Sequence, residues 1–467
     1  MKKSILKISL VAVSALVIAS CAGRKVYERP EIVNENLYRT DNLPTDSLSA
    51  AAVSWKDVFT DNLLQGYIGQ ALENNLDIRM ALQNVASSQA YLKQSKHAFL
   101  PTLSVSPSYT YNTASLNTQF GALIGQRTHL RQWDLTGSAS WEADIWGKLN
   151  AQKKASYASY LGTVAAHQAV KSEIVATLAT AYYQLLMYDK QQQILEETIV
   201  LRKQSFETTR SLKDAGSTTE VAVQQTEALL YNAEAQLITT KNAIRALENS
   251  ICLLLGEEPH AIERNRLDSQ QFPSAFNQGY AVSLLENRPD VIQAEYSLMN
   301  AFEMTNIARA AFYPSFTLSA SGGFTSIDFD EWFSSRSIFA SLVAGLTQPI
   351  LNKRQIRTQY EVSQANQETA LLNFKKTLLS AGKEVSDALQ EFHSQDEFIV
   401  LKTKEMQAYQ KATEYSKELF DSGMATYLDL ITADVNRLSA ELSVASAQFA
   451  KMQQGITLYK ALGGGWR

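Results

Sequence analysis

Few side chains in this 467-residue sequence are spaced for covalent or metal chemistry. The five histidines, His97, His129, His167, His260 and His393, each stand without a second ligand at metal-binding spacing. Gly463-Gly464-Gly465 precedes no helix, so it cannot cradle a phosphate. No Gly-x-Ser-x-Gly or other nucleophile motif occurs. The paired acids Glu196-Glu197 and Glu257-Glu258 are adjacent and diverge on a helix or turn. No catalytic residue, no metal site and no enzyme activity is expected. The one residue placed for chemistry is Cys21. Lys2 and Lys3 precede an apolar run, Ile8 to Ala19, of signal-peptide length and too short for a membrane span of about 20 residues. The run ends in Ile18-Ala19-Ser20-Cys21, the pattern of a bacterial lipobox. It predicts a signal peptide over 1–20 and lipidation of Cys21, with diacylglycerol and a fatty acyl group as the only attached groups and no other cofactor. An ordinary signal peptide with a chance cysteine is the plainer alternative. Cys252 lies in the apolar run Ile251 to Leu255 and reads as a core residue, so no disulfide is expected.

A net charge of −4 with interspersed signs argues against a nucleic-acid or polybasic membrane partner. No apolar stretch after the signal is long enough for a transmembrane helix. A membrane crossing would have to use β-strands. Eight methionines without a cluster in the mature chain speak weakly against specialisation for soft metals.

The elements that must position anything in this chain come as two copies of one unit. Leu72-Glu73-Asn74-Asn75-Leu76-Asp77-Ile78 recurs as Leu285-Glu286-Asn287-Arg288-Pro289-Asp290-Val291, an offset of 213 residues (Leu72 to Leu285). Ala98-Phe99-Leu100-Pro101 recurs at the same offset as Ala311-Phe312-Tyr313-Pro314. Leu212 to Gly216 and Leu255-Gly256 recur as Leu419 to Gly423 and Leu462-Gly463, offset by 207 (Gly216 to Gly423). Chance likeness of Ala- and Gln-rich helices would not hold a nearly fixed offset through strands, turns and helices alike.

Within each copy, proline and glycine mark the tracts. Proline is absent from Ser108 to Glu258 and after Pro349, and Gly216 is the only glycine between Thr163 and Leu255. These residues are the strongest helix breakers, so the tracts read as long helices at about 148–213, 218–255, 354–420 and 425–462. Leu178, Ala181, Tyr182 and Leu185, and Val385, Ala388, Leu389 and Phe392, follow helical spacing. A helix of about 60 residues runs to roughly 90 Å and belongs in a coiled-coil bundle or tube. Gly216 and Gly423 mark hairpin turns, and Ser217 and Thr219, or Thr426, can cap the next helix.

Ahead of each helical tract the period changes to two. Leu103, Val105, Pro107, Tyr109 and Tyr111 alternate with small polar residues, as do Trp133, Leu135, Gly137, Ala139 and Trp141. Phe316, Leu318, Ala320, Gly322 and Phe324 repeat the pattern; Ile338 to Leu346 follow with a less polar opposite face. Such strands suit an outer-membrane barrel, with a soluble antiparallel sandwich open on periodicity alone. The lipobox and the lack of other globular elements favour the barrel. Four strands cannot close one, and an open edge in lipid leaves backbone groups unpaired. The strands must therefore combine with those of other chains.

The order of motifs resembles the TolC-type outer-membrane factor family, lipoprotein branch of resistance-nodulation-division efflux systems. The motifs are the lipobox, Ala71 to Ile78, Ala98 to Leu103, Asp144-Ile-Trp-Gly-Lys148, Ala181-Tyr-Tyr-Gln-Leu185, Arg288-Pro-Asp290, Gln348-Pro-Ile350 and Ala461-Leu-Gly-Gly-Gly-Trp466. The resemblance implies an α+β membrane protein of two tandem repeats, each a two-strand hairpin plus long antiparallel helices. It implies a homotrimer whose 12-stranded β-barrel continues into a 12-helix α-barrel. It further implies a periplasmic membrane-fusion adaptor, an inner-membrane transporter and outer-membrane lipid as partners. The expected organisation is an extension over 21–54, a first repeat over 55–260 with its hairpin at about 102–144, a linker over 261–280, and a second repeat over 281–467 with its hairpin at about 315–349. The expected function is a lipid-anchored outer-membrane exit duct that passively conducts drugs or other small molecules. A duct for type I protein secretion or metal efflux, and a non-conducting periplasmic coiled-coil lipoprotein, are the alternatives. By the same resemblance the hairpin tips dock the adaptor: Leu212, Gly216 and Thr219, and Leu419, Gly423 and Thr426. The gate candidates are Leu428, Asp429, Thr432 and Asp434. Relatives typically read Tyr-Leu-Asp-Val-Leu-Asp-Ala-Gln-Arg where this chain has Tyr427 to Val435, so Thr432 and Val435 replace the family's gate carboxylate and arginine. Asp429, Asp434 or Arg437 could substitute, or could be solvated surface charges.

Overall fold

The computed structural model describes residues 25–30, 54–270 and 287–466. The signal peptide, Cys21, most of the N-terminal extension, linker residues 271–280 and the Leu285-Glu286 pair of the repeat lie outside the described residues. The elements run α1 (Trp55–Val58), α2 (Asn62–Asn74), α3 (Leu76–His97), β1 (Thr102–Thr113), α4 (Gln119–Ile124) and β2 (His129–Ala143), then α5 (Lys148–Asp214) and α6 (Glu220–Leu255). The second half gives α7 (Pro289–Ala310), β3 (Ser315–Ser326), β4 (Ile338–Thr347), α8 (Gln355–Asp421) and α9 (Tyr427–Ala461). α5 and α8 each have 67 residues, about 100 Å of helix at 1.5 Å per residue.

The two compact units of the chain are not the two sequence repeats. The strand unit draws on residues 25–30, 86–162 and 295–373, and the helical unit on 54–85, 163–270, 287–294 and 374–466. Both repeats supply segments to each.

In the strand unit the four strands form one antiparallel sheet in the order β1-β2-β3-β4. The central pairing, β2 with β3, joins the two repeats through Gly137 opposite Gly322. At Gly323 a Cβ would lie 1.8 Å from the Leu135 carbonyl oxygen, so only glycine lets these two strands close. Below the sheet, the Trp146 indole stacks on Tyr313 at 4.7 Å and donates to the Pro314 carbonyl at 2.7 Å. The Asp144 to Lys148 motif of the first repeat thus meets the Ala311 to Pro314 motif of the second. Asp144 caps α5, its carboxylate accepting the Leu149 and Asn150 N–H groups at 2.8 and 2.9 Å.

In the helical unit the core is built from small and aromatic side chains at helical spacing. Leu178, Tyr182, Tyr183 and Leu185 of α5 are fully buried, as is Cys252 of α6. The duplication is preserved down to single hydrogen bonds. Asn75 donates its side-chain amide to the Leu254 carbonyl at 2.8 Å; its counterpart Arg288 donates to the Ala461 carbonyl at 3.0 Å. Gly256 and Gly463, with φ of 76° and 88°, turn the chain back against Asn74 and Asn287 in the same way. Arg288 adds a bidentate pair with Asp290 and a contact at 2.7 Å with Glu384. Burial pulls the Arg288 guanidinium down, but the two carboxylates outweigh it and hold it charged. No helix among the described residues is long and apolar enough to cross a membrane.

Candidate functional site

Two regions carry the expected function, the sheet and the ends of the helical hairpins. The sheet's register decides which side chains share a face. Leu103, Val105, Pro107, Tyr109 and Tyr111 stand opposite Ala139, Gly137, Leu135, Trp133 and Arg131. Those β2 residues align with Ala320, Gly322 and Phe324 of β3, and these with Leu342, Ala340 and Ile338 of β4. Every apolar series therefore falls on one face. The other carries serines, threonines, Asn112, Gln132, Asp134 and Glu142, with Leu130 of β2 and Phe339 and Val343 of β4 as apolar exceptions. On the polar face Asp134 accepts from Gln132 at 2.9 Å and from Thr325 at 2.6 Å, and Lys148 pairs with Glu142 at 3.0 Å. The apolar face is open to the outside: Leu103, Val105, Leu342 and Leu346 are all exposed. Aromatic rings gather at the loop end, where Trp133 contacts Tyr109, Phe329 and Trp332. At the helix end Trp141 donates to the Phe99 carbonyl at 2.8 Å. Polar-tipped aromatics at both rims of an apolar band are the girdles of a membrane barrel. Among the described residues β1 and β4 have no outer neighbour.

At the far ends of the helical hairpins the two repeats build the same turn twice. Ser217 N–H donates to the Leu212 carbonyl at 2.8 Å and Gly216 N–H to Lys213 at 2.9 Å; Met424 to Leu419 and Gly423 to Phe420 repeat this at 2.8 and 2.9 Å. This crossed pair of bonds needs a left-handed residue, and Gly216 and Gly423 have φ of 79° and 75°. Thr219 and Thr426 then cap α6 and α9. Ser217, an expected cap, serves instead through its backbone N–H.

The four gate candidates go to different places. The Leu428 side chain is 62% exposed. Asp429 closes a capping box, accepting from the Thr426 N–H at 3.0 Å and hydroxyl at 2.6 Å, and these bonds hold its carboxyl below the usual range. Thr432 donates to the carbonyl of Leu428 one turn back at 2.8 Å. Asp434 alone enters a network. Its carboxylate meets Arg202 of α5 and Arg437 of α9, each at 2.9 Å. Arg202 also donates to the Leu229 carbonyl of α6 at 2.9 Å, and Arg437 pairs with Glu441, which accepts from Gln410 of α8. Arg202 is only 5% exposed. Asp434 and Arg437 are therefore not solvated surface charges; they join all four hairpin helices. Beside them Tyr427 bonds Thr209 and is pushed up to about 12 by burial. A hollow of about 180 Å³ lies alongside, walled by Leu201, Leu229, Phe420, Leu430 and Ile431. The sequence offered one sign of this cluster, the i, i+3, i+7 spacing of Asp434, Arg437 and Glu441. Arg202, distant in the chain, gave none. Among the described residues no group of three or more His, Cys, Asp or Glu is placed to hold a metal ion.

Residues 67–257 and 281–464 match the family model described as outer membrane efflux protein. The chain belongs to the outer membrane efflux protein family. Cation efflux system protein CusC of Escherichia coli O157:H7 is 26% identical over 97% of this chain and 97% of its own. Toluene efflux pump outer membrane protein TtgI of Pseudomonas putida is also 26% identical, over 98% of each chain. A crystal structure of CusC, described in connection with transmembrane channel formation, superposes with a TM-score of 0.82 at 25% identity, covering 94% of this chain and 99% of that one. This efflux protein is thus an outer-membrane protein of two tandem repeats, each a strand hairpin on long helices.

Proposed function

We propose that three copies of this outer membrane efflux protein close a 12-stranded barrel and a 12-helix tube, forming the exit duct of a tripartite pump. The observation that carries this reading is the sheet: one face apolar apart from polar residues at the loop end, Arg131 and Ser326 among them, the other mostly polar, and both edge strands unpaired among the described residues. Each unpaired backbone group in hydrocarbon costs several kcal/mol, so edges β1 and β4 need partners from other copies. Conduction is passive: the polar face lines water, and no step of bond chemistry is required. The tips at Leu212 to Thr219 and Leu419 to Thr426 dock a periplasmic adaptor, which links the duct to an inner-membrane resistance-nodulation-division transporter. Leu428 forms an apolar constriction, and the Arg202–Asp434–Arg437 network, not Asp429 or Thr432, holds the hairpins in the closed arrangement. Cys21, outside the described residues, carries the lipid anchor.

Relatives of equal identity are named for cations and for toluene. Cargo choice therefore sits in the pump, with the duct a common exit; small molecules, drugs and metal cations are all compatible with it. The deciding experiment measures the mass of the purified mature protein in detergent and its conductance in planar bilayers. A conducting trimer is expected; a monomer without conductance overturns the duct. Raised drug or metal susceptibility on deletion then names the cargo class.

A further inference from the structure

Two hollows in the strand unit are lined from either side of the Phe99-Leu100-Pro101 segment, Pro101 in one and Phe99 in the other. One, of about 260 Å³, lies on the apolar face and is lined by Pro101, Ala139, Trp141, Leu318 and Ala320. It exists because Ala139 and Ala320 are small and stand directly opposite each other, while Trp141 and Leu318 wall it on the next step of the ladder. The second, of about 330 Å³, is lined by Leu92, Lys96, Phe99, Lys153, Lys154 and Tyr157. The two are joined covalently through Phe99-Leu100-Pro101 and by the Trp141 indole bond to the Phe99 carbonyl. Lys153 lies over the Phe99 ring at 5.6 Å.

The lysines are not placed for helix stability or ion pairing alone. Lys148, Lys153 and Lys154 fall in the first two turns of α5, where the helix dipole disfavours a cation. Lys148 is matched by Glu142 and Lys154 approaches Glu303 at 3.8 Å. Lys96 and Lys153 have no carboxylate partner among the described residues. An apolar hollow on the lipid face, two residues along the chain from a hollow holding two cations without a carboxylate partner, fits a molecule with a hydrocarbon tail and an anionic head.

We propose that the two hollows form one site for an anionic phospholipid of the periplasmic leaflet, an acyl chain against Ala139, Trp141, Leu318 and Ala320 and the phosphate between Lys96 and Lys153. This rests on the reading of the sheet as a membrane barrel. Bound there, the lipid seals the junction between strands and helices, which the protein's own side chains leave open. Trp141 lines the apolar hollow and Tyr157 the basic one, and amphipathic aromatics of this kind are enriched where membrane meets water.

The test reconstitutes the full mature protein in vesicles of equal parts phosphatidylglycerol and phosphatidylcholine, extracts it gently and weighs the retained lipid by native mass spectrometry. The wild type is expected to retain phosphatidylglycerol on the order of tenfold over phosphatidylcholine, an enrichment two juxtamembrane lysines can supply. Lys96→Ala with Lys153→Ala should abolish the preference, and Ala320→Phe, which fills the apolar hollow, should reduce total retention of both lipids. Excess inorganic phosphate should leave retention unchanged, since the tail is part of the ligand. Equal retention of the two lipids by the wild type, or an undiminished preference in the double lysine variant, overturns the site. So does a preference that appears only in Cys21→Ser protein, because the hollow is then filled by the chain's own acyl group. Conductance in the same vesicles separates the two readings: a conducting protein without lipid preference refutes the site alone, and a protein that never conducts refutes the barrel.

Discussion

At the scale of single residues, the Arg202–Asp434 pair is a contact sensitive to substitution. Arg202 comes from α5 and is almost wholly buried, so its removal strands a carboxylate that water reaches poorly. Breaking one partner of such a pair typically costs about 3–5 kcal/mol. Because Asp434 keeps Arg437 as a second partner, Arg202→Ala is expected at the lower end, about 3 kcal/mol, read as a lower midpoint for loss of helical signal on denaturation. Arg202→Met with Asp434→Leu should recover much of that loss, since no charge is then left buried. The same pair predicts function: Arg202→Ala should raise single-channel conductance, whereas Asp429→Asn, which touches only the α9 cap, should not. A second residue-scale prediction concerns pH. The Arg288 bonds hold the Asp290 carboxyl below its ordinary value despite the opposing effect of burial. Its stabilisation is therefore complete above the unfolded-state value of about 4 and is lost as pH falls through the lower folded-state value. Melting temperature should decline on acidification below about pH 4, and Asp290→Asn should flatten that decline.

At the scale of elements, much of the architecture was written in the punctuation of the chain. The long helices begin and end within a residue or two of the expected positions, because Gly216 and Gly423 leave few places where the helices can stop. Strand parity was equally legible, since a one-residue slip would have moved every apolar residue to the other face. What the sequence concealed are the contacts that depend on which helices become neighbours. Arg202 meets Asp434 across 232 residues, and Trp141 reaches the Phe99 carbonyl across 42. Neither partner has a spacing that betrays it. The division into compact units was hidden for the same reason: repeats are a property of sequence order, and compactness follows from which segments pack. Element-scale chemistry also yields a test at the β2–β3 junction. Gly323→Ala puts a Cβ where the Leu135 carbonyl oxygen lies, and backbone cannot swing aside as a side-chain tip can. The expected outcome is failure to insert, seen as loss of the heat-resistant band on cold gels. Gly216→Ala is the matched control. Its Cβ meets nothing within 4 Å, so only the left-handed strain of about 1 kcal/mol remains and assembly should persist.

At the scale of the whole molecule, the duplicated unit sets the assembly. One repeat contributes a hairpin too small to close a barrel, and two repeats joined at β2–β3 still leave β1 and β4 exposed. Two ends of the same sheet that both need partners, in identical copies, satisfy each other head to tail; closure of the ring then ends growth. This makes a prediction that does not depend on conductance. Single cysteines placed near the middle of β1, at Ser106, and on β4 at Ser341 or Val343 should include a combination whose Cβ atoms lie within disulfide reach in adjacent copies. Both sites face the polar side, so lipid packing is left alone. Cys252 is buried in the helical unit and should not compete. Oxidation of the double variant should convert monomer to a closed covalent trimer through dimer, while each single variant stays monomeric on a denaturing gel. Crosslinking that continues past three copies into a ladder would mean that the edges pair without closing, and a chain that never crosslinks at any register would mean that β1 and β4 do not meet. Because the crosslink reports strand adjacency alone, it tests the shared barrel independently of the tips, the adaptor and the gate.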